Sequence, residues 1–339
     1  MSMTLQPYLE CIEQELDGLV RAADSESALL FAMMRYHLGW LDRELRPLQA
    51  PSGKRLRPLL CLLCCDAANG NWHNAAPAAA ALELIHNFSL VHDDIEDNTL
   101  IRRGRDAVWS VWGLAHGVNV GDTLQSLARI ALARLADRGL DPETVVRAMR
   151  IVDSSCLRLC QGQYMDLAGE GRLDMTENWY MKMIGYKTAV LFSASTQLGA
   201  LLAGASADVE SYRQFGFNLG LAFQMVDDIL GIWGVPEVTG KPAASDLFER
   251  KMTLPIIFAL RSSASSNTLA ALYGQDRLSE EDVAQTKDIL DRCEARSYVR
   301  RKATELEAAA LKALEATEAQ PPALNQLRDL TEALSTRRS

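Results

Sequence analysis

Apolar residues recur at helical spacing along almost the whole chain, from about Leu5 to Leu334. Intervals of three and four residues place apolar side chains on one face of an α-helix, and the strict alternation of a half-buried strand is scarce. Short turn signals rich in Gly, Pro and Asn separate these segments. The pattern predicts helices near residues 5–22, 26–45, 55–68, 74–98, 118–137, 143–168, 176–203, 207–231, 253–262, 279–296, 297–316 and 322–335. It therefore predicts an all-α fold, a helical bundle.

The length of the chain sets the domain organisation that we expect. A chain of 339 residues, 48% of them hydrophobic, can bury one large core, so we predict a single domain over residues 1–339. The candidate chemistry lies between about residues 53 and 255. The tail from about residue 265 to residue 339 is rich in Ala, Glu, Lys and Arg and carries no evident chemistry, so we predict peripheral packing helices there.

Charge and hydropathy then exclude several classes of function. The formal net charge of -9 disfavours general binding to nucleic acid, which requires cations that displace phosphate counterions. No uninterrupted apolar stretch has bilayer-spanning length, and the N-terminus carries acidic residues in place of the basic flank of a secretory signal. These patterns predict a soluble cytoplasmic protein with no transmembrane segment and no nucleic-acid partner.

A first acidic cluster, DDIED, runs from Asp93 to Asp97 late in a predicted helix. A helix places Asp93 and Asp97 one turn apart on a single face, with His86 two turns earlier on nearly the same stripe. Carboxylate oxygens without a cysteine or histidine cage suit Mg2+, which keeps several waters and shares its coordination with substrate phosphates. In isolation the motif is equally compatible with a solvated acidic helix end.

A second acidic pair, Asp227 and Asp228, interrupts an otherwise apolar helical run from Gly220 to Gly231. Buried carboxylates are destabilising unless a metal or another cation compensates them. Two such clusters on separate helices could face each other across a bundle and hold metal between them. The context of the second pair therefore favours a metal site over a solvated helix end.

Cations are concentrated where a phosphate would need them. The GKRLRP run from Gly53 to Pro58 opens a predicted helix, and the RRGR run from Arg102 to Arg105 follows the first acidic cluster within one short turn. Arginine binds phosphate oxygens bidentately, and lysine adds a mobile point charge. Basic and acidic clusters together predict a site for phosphate and metal.

In their order along the chain, these motifs resemble those of the trans-isoprenyl diphosphate synthases, also called polyprenyl synthetases. The likeness runs from about Gly53 to Pro255. The segments that carry it are GKRLRP at Gly53 to Pro58, HNFSLVHDDIEDNTLIRRGR at His86 to Arg105, GQYMD at Gly162 to Asp166, KTA at Lys187 to Ala189, FQMVDD at Phe223 to Asp228, TGK at Thr239 to Lys241, and the DL…K-TLP pattern at Asp246 to Pro255. The resemblance implies an isoprenoid synthase-like fold, a helical bundle around a central cavity.

The resemblance also implies an activity and a set of site residues. The activity is a prenyl transfer that joins isopentenyl diphosphate to an allylic diphosphate (dimethylallyl, geranyl or farnesyl) by magnesium-assisted ionisation. The residues implied for the acceptor diphosphate are Lys54, Arg57, His86 and Arg103. Those implied for about three Mg2+ ions are Asp93, Asp97 and Asp227. Those implied for the allylic diphosphate are Arg102, Lys187, Lys241 and Lys251, with Thr188 and Gln224 at the reaction centre. The candidate catalytic residues among them are Asp93, Asp97, Asp227, Lys187, Lys241 and Gln224.

The second acidic motif departs from the family pattern. It is usually DDxxD, but Gly231 occupies the place of the last Asp, which a helix would aim at the same face as Asp227. We expect water to fill this gap because Mg2+ accepts water readily. Two alternatives stay open, a class I terpene cyclase on the same fold and a non-catalytic partner subunit of a prenyl synthase. The synthase is favoured because a cyclase has no need of the acceptor residues.

Two positions before the first acidic motif bear on product length. In the family, aromatic residues four and five positions before this motif shorten the product, and here those positions are Ser89 and Phe88. Because the motif has no two-residue insertion, this pair resembles a geranylgeranyl-type synthase. We expect geranylgeranyl diphosphate, the C20 product, with Phe88 as the candidate floor of the cavity. The resemblance also implies a homodimer.

Overall fold

The structure is a computed structural model that describes residues 5–48, 53–235, 243–262 and 266–335. Helices dominate these ranges, which confirms the predicted all-α class. The first helices are α1 Gln6–Leu19, α2 Ala28–His37, α3 Leu56–Ala67, α4 Ala76–Glu96, α5 Val108–Trp112, α6 Leu114–Ala133 and α7 Pro142–Gly169. They are followed by α8 Glu177–Ile184, α9 Val190–Leu202, α10 Val209–Trp233, α11 Ser245–Phe248, α12 Leu254–Arg261, α13 Ser266–Tyr273, α14 Glu280–Arg292, α15 Ala295–Glu315 and α16 Ala323–Ser335. Within the described ranges, no helix is both long and apolar enough to cross a bilayer.

Several boundaries differ from the prediction for identifiable backbone reasons. The helix predicted over residues 26–45 ends at His37, and the chain then turns at Gly39, whose φ is 87°. The helix predicted over residues 118–137 begins earlier, directly after Gly113 with a φ of 93°. The segment predicted as one helix over residues 176–203 contains a π-helical turn at Gly185–Ala189. Apolar periodicity reports which face is buried and does not report these local changes of backbone conformation.

A short antiparallel hairpin lies between α4 and α5, where the sequence indicated only a turn. Its strands are β1 Ile101–Arg102 and β2 Arg105–Asp106, and Arg102 pairs with Arg105. The two connecting residues, Arg103 and Gly104, have φ values of 55° and 74°. A two-residue turn of the type that matches strand twist requires positive φ at both positions. The RRGR run is therefore held as a defined turn.

The chain divides into two compact units. Unit 1 comprises residues 1–156, 194–213 and 317–327, and unit 2 comprises residues 157–193, 214–316 and 328–339. The basic runs and the first acidic cluster belong to unit 1, and the second acidic pair belongs to unit 2. The single domain predicted over the whole chain stays a prediction.

In unit 1, the helix that carries the first acidic cluster is firmly packed. The stretch of α4 from Ala76 to Ile85 is buried throughout. Two glycines let α6 approach the C-terminal half of α4. A Cβ placed at Gly121 would overlap the imidazole of His92, and one placed at Gly117 would lie 2.8 Å from the Cδ1 atom of Ile95. Close packing of this kind fixes the position of the helix end and of the carboxylates on it.

In unit 2, apolar side chains of α8, α10, α12, α14 and α15 form the core. The π-helical turn at Gly185–Ala189 is packed from two sides by glycines. A Cβ at Gly162 of α7 would collide with the backbone of Lys187, and one at Gly220 of α10 would lie 2.6 Å from the Cα atom of Ala189. These contacts require glycine because backbone atoms cannot move aside as a flexible side chain can.

Candidate active site

The first acidic cluster occupies the C-terminal end of α4, where Asp97 is the C-cap residue. The carboxyl end of a helix carries partial negative charge, so carboxylates there are destabilising unless a cation compensates them. Asp94 is buried and accepts a hydrogen bond from Nε of Arg102 at 2.7 Å. Burial raises the pKa of Asp94, while the Arg102 guanidinium opposes the rise. Asp93 is half-buried and Asp97 is exposed, which suits carboxylates that bind a metal together with water.

Arg103 and Arg105 of the RRGR run make different contacts in the hairpin. Arg105 donates to the backbone oxygens of Tyr36 at 2.9 Å and Leu41 at 2.5 Å, and it stacks on the Tyr36 ring at 4.1 Å. It therefore anchors the hairpin to the last turn of α2 and to the segment that follows this helix. Arg103, at the tip, packs over Gly53, where an added Cβ would lie 3.1 Å from its Nη2 atom. This contact joins the RRGR run to the start of the GKRLRP run.

Arg55 of the GKRLRP run has a structural role. It is buried and forms a 2.7 Å ion pair with Glu83 of α4, which is also buried. Its Nε atom donates to Glu13 of α1 at 2.6 Å. Removing one partner of a buried pair leaves an uncompensated charge, so Arg55 holds α1, α3 and α4 together rather than binding a ligand. The sequence analysis did not assign Arg55 to the site, in agreement with this geometry.

Lys54 and Arg57 flank Arg55 and differ from it in exposure. Lys54 is exposed and Arg57 is half-buried. Burial lowers the pKa of Arg57 to about 10, with Arg103 adding to the decrease and Glu83 opposing it. Arg57 stays protonated at neutral pH, so Arg57 and Arg103 repel each other. A bound anion would relieve that repulsion, as expected for a diphosphate site.

Two histidines lie in this positive environment. His86 of α4 is half-buried, and its pKa is held well below the usual range by burial and then by Arg57 and Arg103. His37 of α2 has a similarly lowered pKa, caused by burial and by Arg103 and Arg102. The Nε2 atom of His37 is buried and has no hydrogen-bond partner within the described residues. Both imidazoles are neutral at neutral pH and can donate one hydrogen bond to an anion without adding charge.

In unit 2, Asp228 is a buried anchor of the second acidic pair. Its carboxylate accepts hydrogen bonds from the Tyr180 hydroxyl at 2.6 Å and from the Gln224 amide at 3.0 Å. Burial raises the pKa of Asp228 to about 7, while the Tyr180 and Gln224 hydrogen bonds oppose the rise and Asp246 adds to it. Asp227 is half-buried. The two neighbouring carboxylates thus have distinct surroundings, and Asp227 is the better candidate for metal binding.

The π-helical turn supplies Lys187 and Thr188. The Lys187 ammonium pairs with Asp166 of α7 at 2.5 Å, and the Thr188 hydroxyl donates to the Gln224 side chain at 2.7 Å. Since Gln224 also donates to Asp228, a hydrogen-bond chain fixes the orientation of the Gln224 amide. π-Helical turns are rare and occur often at functional sites, where they reposition side chains.

The remaining predicted cations lie beyond α10. Lys251 pairs with Glu249 at 2.7 Å and lies 3.8 Å from Asp246. Burial lowers the pKa of Lys251, but the two carboxylates outweigh it and the net shift is upward, so the ammonium stays charged. Lys241 lies outside the described residues.

The residues predicted to control product length lie on α4. Phe88 is buried and meets the His92 ring edge-to-face, with ring centroids 5.1 Å apart. Ser89 is half-buried, and its hydroxyl donates to the His86 backbone oxygen at 2.8 Å. A large and a small side chain thus stand side by side one turn before Asp93.

Magnesium fits the donors at these positions. Asp93, Asp97 and Asp227 present hard carboxylate oxygens, which Mg2+ prefers over nitrogen and sulfur. In the part of the chain that the structure describes, no group of three or more His, Cys, Asp or Glu side chains could by itself hold a metal ion. Mg2+ usually binds carboxylates together with waters and phosphate oxygens, so the donor chemistry at these positions fits this ion.

Three residues with site contacts escaped the sequence analysis: His37, Asp166 and Tyr180. Asp166 ends the GQYMD segment, so its motif offered a usable signal. His37 and Tyr180 belong to no motif. Only tertiary packing places His37 near Arg103 and Tyr180 against Asp228, so the sequence contains no local signal for either.

Comparison with known proteins decides the family. The sequence profile of the polyprenyl synthetase family matches residues 39–290. The chain belongs to the polyprenyl synthetase family. Geranylgeranyl diphosphate synthase of Mycobacterium tuberculosis is 44% identical over 257 residues, which cover 75% of this chain and 72% of that protein. The (2E,6E)-farnesyl diphosphate synthase of the same species is 39% identical over 279 residues, covering 80% and 76%.

Solved structures of family members share the fold. Polyprenyl synthetase from Streptomyces coelicolor A3(2) has a TM-score of 0.88 at 32% identity, covering 99% of this chain and 98% of that one. Geranylgeranyl pyrophosphate synthase from Corynebacterium glutamicum, complexed with isoprenyl diphosphate and magnesium, has a TM-score of 0.81 at 27% identity and covers 98% of both chains. The predictions of a polyprenyl synthetase fold and of a prenyltransferase are therefore confirmed. The roles of individual site residues stay predictions, as does the cytoplasmic location.

Proposed function

We propose that this enzyme condenses isopentenyl diphosphate with an allylic diphosphate and releases an all-trans prenyl diphosphate, chiefly the C20 geranylgeranyl diphosphate. One observation carries the proposal. In unit 1, Arg57, His86 and Arg103 are all half-buried, and the two guanidiniums are, after burial itself, the main causes that lower the pKa of His86. This environment suits a diphosphate held without metal, in the same unit as the carboxylates at the end of α4.

The chemistry follows from charge. The bond between the allylic carbon and its diphosphate oxygen breaks, and the electron pair leaves with the diphosphate. The double bond of isopentenyl diphosphate attacks the resulting carbocation, a carbon–carbon bond forms, and the proton lost from the acceptor passes to the released diphosphate. Arg102, Lys187 and Lys251 stabilise the negative charge that develops on the departing group. Lys241 is proposed for the same role from the family resemblance alone.

Magnesium, when bound, neutralises the diphosphate of the allylic substrate and so makes it a better leaving group. We propose Asp93, Asp97 and Asp227 as its protein ligands, with about three ions as the family resemblance implies. The related Corynebacterium structure is of a complex with isoprenyl diphosphate and magnesium, which supports a role for magnesium in binding the diphosphate here. We place Gln224 and Thr188 at the reaction centre from the family resemblance, and the hydrogen bonds that orient them are consistent with that role. An apolar cavity would protect the carbocation from water.

One incubation tests this function. The purified enzyme, MgCl2 and isopentenyl diphosphate are combined with dimethylallyl, geranyl or farnesyl diphosphate in turn, and the products are dephosphorylated and analysed by chromatography and mass spectrometry. We expect acyclic prenyl diphosphates ending mainly at C20. A C15 end product would assign the chain to the farnesyl-producing relatives, cyclic hydrocarbons would indicate a cyclase, and no product at all would favour a partner subunit.

We also propose that the enzyme is a homodimer. Large apolar side chains are exposed along one face of α7 at intervals of eleven and seven residues: Val146 is 45% exposed, Leu157 62% and Tyr164 73%. Exposed apolar surface of this kind, repeated along a helix, is typical of an interface. A two-fold dimer would bury the same helix face on both copies.

Leu157→Glu tests the dimer. A charge in an apolar interface is strongly unfavourable, so sedimentation should show the wild type as a dimer and the variant as a monomer. The control is Arg147→Glu, which changes charge at an exposed position of the same helix outside the apolar stripe and should leave the dimer intact. A wild type that sediments as a monomer would contradict the proposal.

A further inference from the structure

Glu83 is a buried carboxylate among the basic residues of unit 1, and it belongs to no motif of the sequence analysis. It lies in α4 and is 2% exposed. Its Oε1 atom accepts hydrogen bonds from Nη1 of Arg55 at 2.7 Å and from Nδ2 of Asn87 at 2.8 Å. Its Oε2 atom has no hydrogen-bond partner among the residues that the structure describes. One oxygen serves the ion pair, and the other leaves negative charge to act on further cations.

The charge of Glu83 acts on two of the residues implied for the acceptor diphosphate, Arg57 and Arg103. Burial lowers the pKa of both guanidiniums, and in each case Glu83 opposes the decrease. Arg103 also packs over Gly53, at the start of the run that contains Arg55. Buried cations are destabilising unless an anion compensates them. While no substrate is bound, Glu83 provides such compensation for all three arginines.

A bound diphosphate would interact with the guanidiniums of Arg57 and Arg103 as well. A carboxylate that already attracts a cation reduces the attraction that a second anion experiences there, so Glu83 weakens the binding of diphosphate. A limited affinity suits the proposed reaction. The acceptor's diphosphate stays on the product, and the product has to leave the acceptor residues before the next isopentenyl diphosphate binds. Tight binding of the product's diphosphate would slow turnover without stabilising the transition state.

We infer that Glu83 is a resident counter-ion of the acceptor site: it stabilises Arg57 and Arg103 while the site is empty and weakens their hold on diphosphate so that the product can leave. Glu83 is a positioning residue in this scheme, because it acts through the guanidiniums and does not contact the substrate. Its role in product release rests on the proposed function. The exchange of one anion for another, Glu83 for diphosphate, does not depend on it.

Binding of inorganic diphosphate in EDTA, followed by calorimetry and by thermal unfolding, tests the counter-ion. In Glu83→Gln the amide oxygen can accept the same two hydrogen bonds, and Arg55 keeps its 2.6 Å ion pair with Glu13. The substitution therefore removes charge with little change of shape. We expect a lower melting temperature without ligand and a Kd for diphosphate about fivefold lower than in wild type. The rise in melting temperature with saturating diphosphate should exceed that of wild type by about 1–2 °C.

Two matched variants separate charge from packing. Glu13→Gln removes the other carboxylate that pairs with Arg55, so it should lower the melting temperature and leave the Kd for diphosphate as in wild type. Glu83→Asp keeps the charge, so its Kd should stay within about twofold of wild type. If Glu83→Gln does not fold by itself, added diphosphate should restore its helical circular dichroism, because the anion replaces the missing charge. Failure to restore it would overturn the inference.

Steady-state kinetics test the role in product release. Glu83→Gln should lower the KM for isopentenyl diphosphate and also lower kcat, because the product is held more tightly; a merely structural role would not lower KM. A lowered KM with an unchanged kcat would overturn the role in release. Unchanged or weaker diphosphate binding in Glu83→Gln would overturn the counter-ion, even in an enzyme that forms prenyl product. An enzyme that forms no prenyl product would defeat the proposed function, yet tighter binding of inorganic diphosphate by Glu83→Gln would still support the exchange of anions.

Discussion

Asp228 is a buried carboxyl with a pKa near neutrality, which is unusual for an aspartate, and three hydrogen bonds hold it in place. The Tyr180 hydroxyl and the Gln224 amide satisfy its two oxygens, and the Leu254 backbone amide donates a weaker bond at 3.4 Å. Because these donors are fixed by α8, α10 and α12, Asp228 ties three helices of unit 2 together at the point where Asp227 emerges. The neighbouring metal candidate is thereby held in place by a residue that needs no metal itself.

Asparagine substitution tests whether Asp93 and Asp227 bind metal. Asp93→Asn and Asp227→Asn each remove a charge that is needed chiefly as the diphosphate departs, so the loss should fall on kcat. We expect kcat to fall more than tenfold, or more than about 1.4 kcal/mol, with an unchanged melting temperature in EDTA. The control is Asp137→Asn, an exposed aspartate of unit 1 outside the site. A variant that keeps more than a tenth of wild-type kcat would remove its aspartate from the metal site.

His37 and His86 of unit 1 predict a pH dependence of stability. Their pKa values are depressed in the folded chain, so below about pH 6.5 the unfolded chain binds protons that the folded chain does not. Stability should therefore decrease as the pH falls from 7 towards 5, with each histidine contributing at most about 1.4 kcal/mol per pH unit. Urea unfolding at several pH values measures this slope, and His86→Gln and His37→Gln should each flatten it.

His116→Gln is the matched control for this slope, since His116 is exposed on α6. It should leave the pH dependence as in wild type. A slope that is the same in all three variants as in wild type would show that the pKa values of these two half-buried histidines are not lowered. His37→Gln also tests the contribution of a residue that belongs to no sequence motif.

At the scale of elements, the π-helical turn at Gly185–Ala189 positions the site residues Lys187 and Thr188 of unit 2. Gly162→Ala tests it, because the new methyl group would collide with the Lys187 backbone. Overpacking should lower the free energy of unfolding by about 1–3 kcal/mol. It should also lower kcat/KM, because Lys187 and Thr188 move with the turn. Gly18→Ala is the control, because a Cβ placed at Gly18 of α1 has no neighbour within 4 Å. Full activity in Gly162→Ala would show that the turn tolerates displacement.

The face of α4 before Asp93 should set product length. If Phe88 forms the floor, Phe88→Ala opens space and should give products longer than wild type, while Ser89→Phe fills space and should give shorter ones. Product chain lengths are measured by mass spectrometry at fixed substrate ratios. The alteration Ser89→Ala is the control, since it removes only the hydrogen bond to the His86 oxygen. Unchanged lengths in both test variants would place the floor on another helix.

Helix positions were predictable from the sequence wherever packing alone decides them. Helix α4 was predicted over residues 74–98 and occupies Ala76–Glu96, and α7 was predicted over residues 143–168 and occupies Pro142–Gly169. The short α11 and the hairpin at Ile101–Asp106 were not predicted, because two to four residues carry too little periodicity. The motifs identified Asp93, Asp97 and Asp227 as candidate metal ligands. The contact between the Asp246 carboxylate and Gly231 was not predictable, because it depends on tertiary packing.

At the scale of the whole molecule, composition and motif order predicted more than any single residue did. An all-α class followed from helical spacing along the entire chain, and the family followed from seven motifs in one order. Neither source reports that the chain forms two compact units, since each unit is assembled from distant stretches of sequence. The exposed apolar stripe on α7 is likewise invisible to periodicity, which does not distinguish a core face from an interface face.

The two glycines that pack against the π-helical turn at Gly185–Ala189 also restrict how such a chain can diverge. A side chain at position 162 or at position 220 would meet backbone atoms of the turn, which cannot move aside. The turn, α7 and α10 are separate elements, yet each one limits what the others can accommodate. A chimera that takes the turn from one relative and α7 or α10 from another should therefore fold only where the donor of the helix also has glycine at the contact.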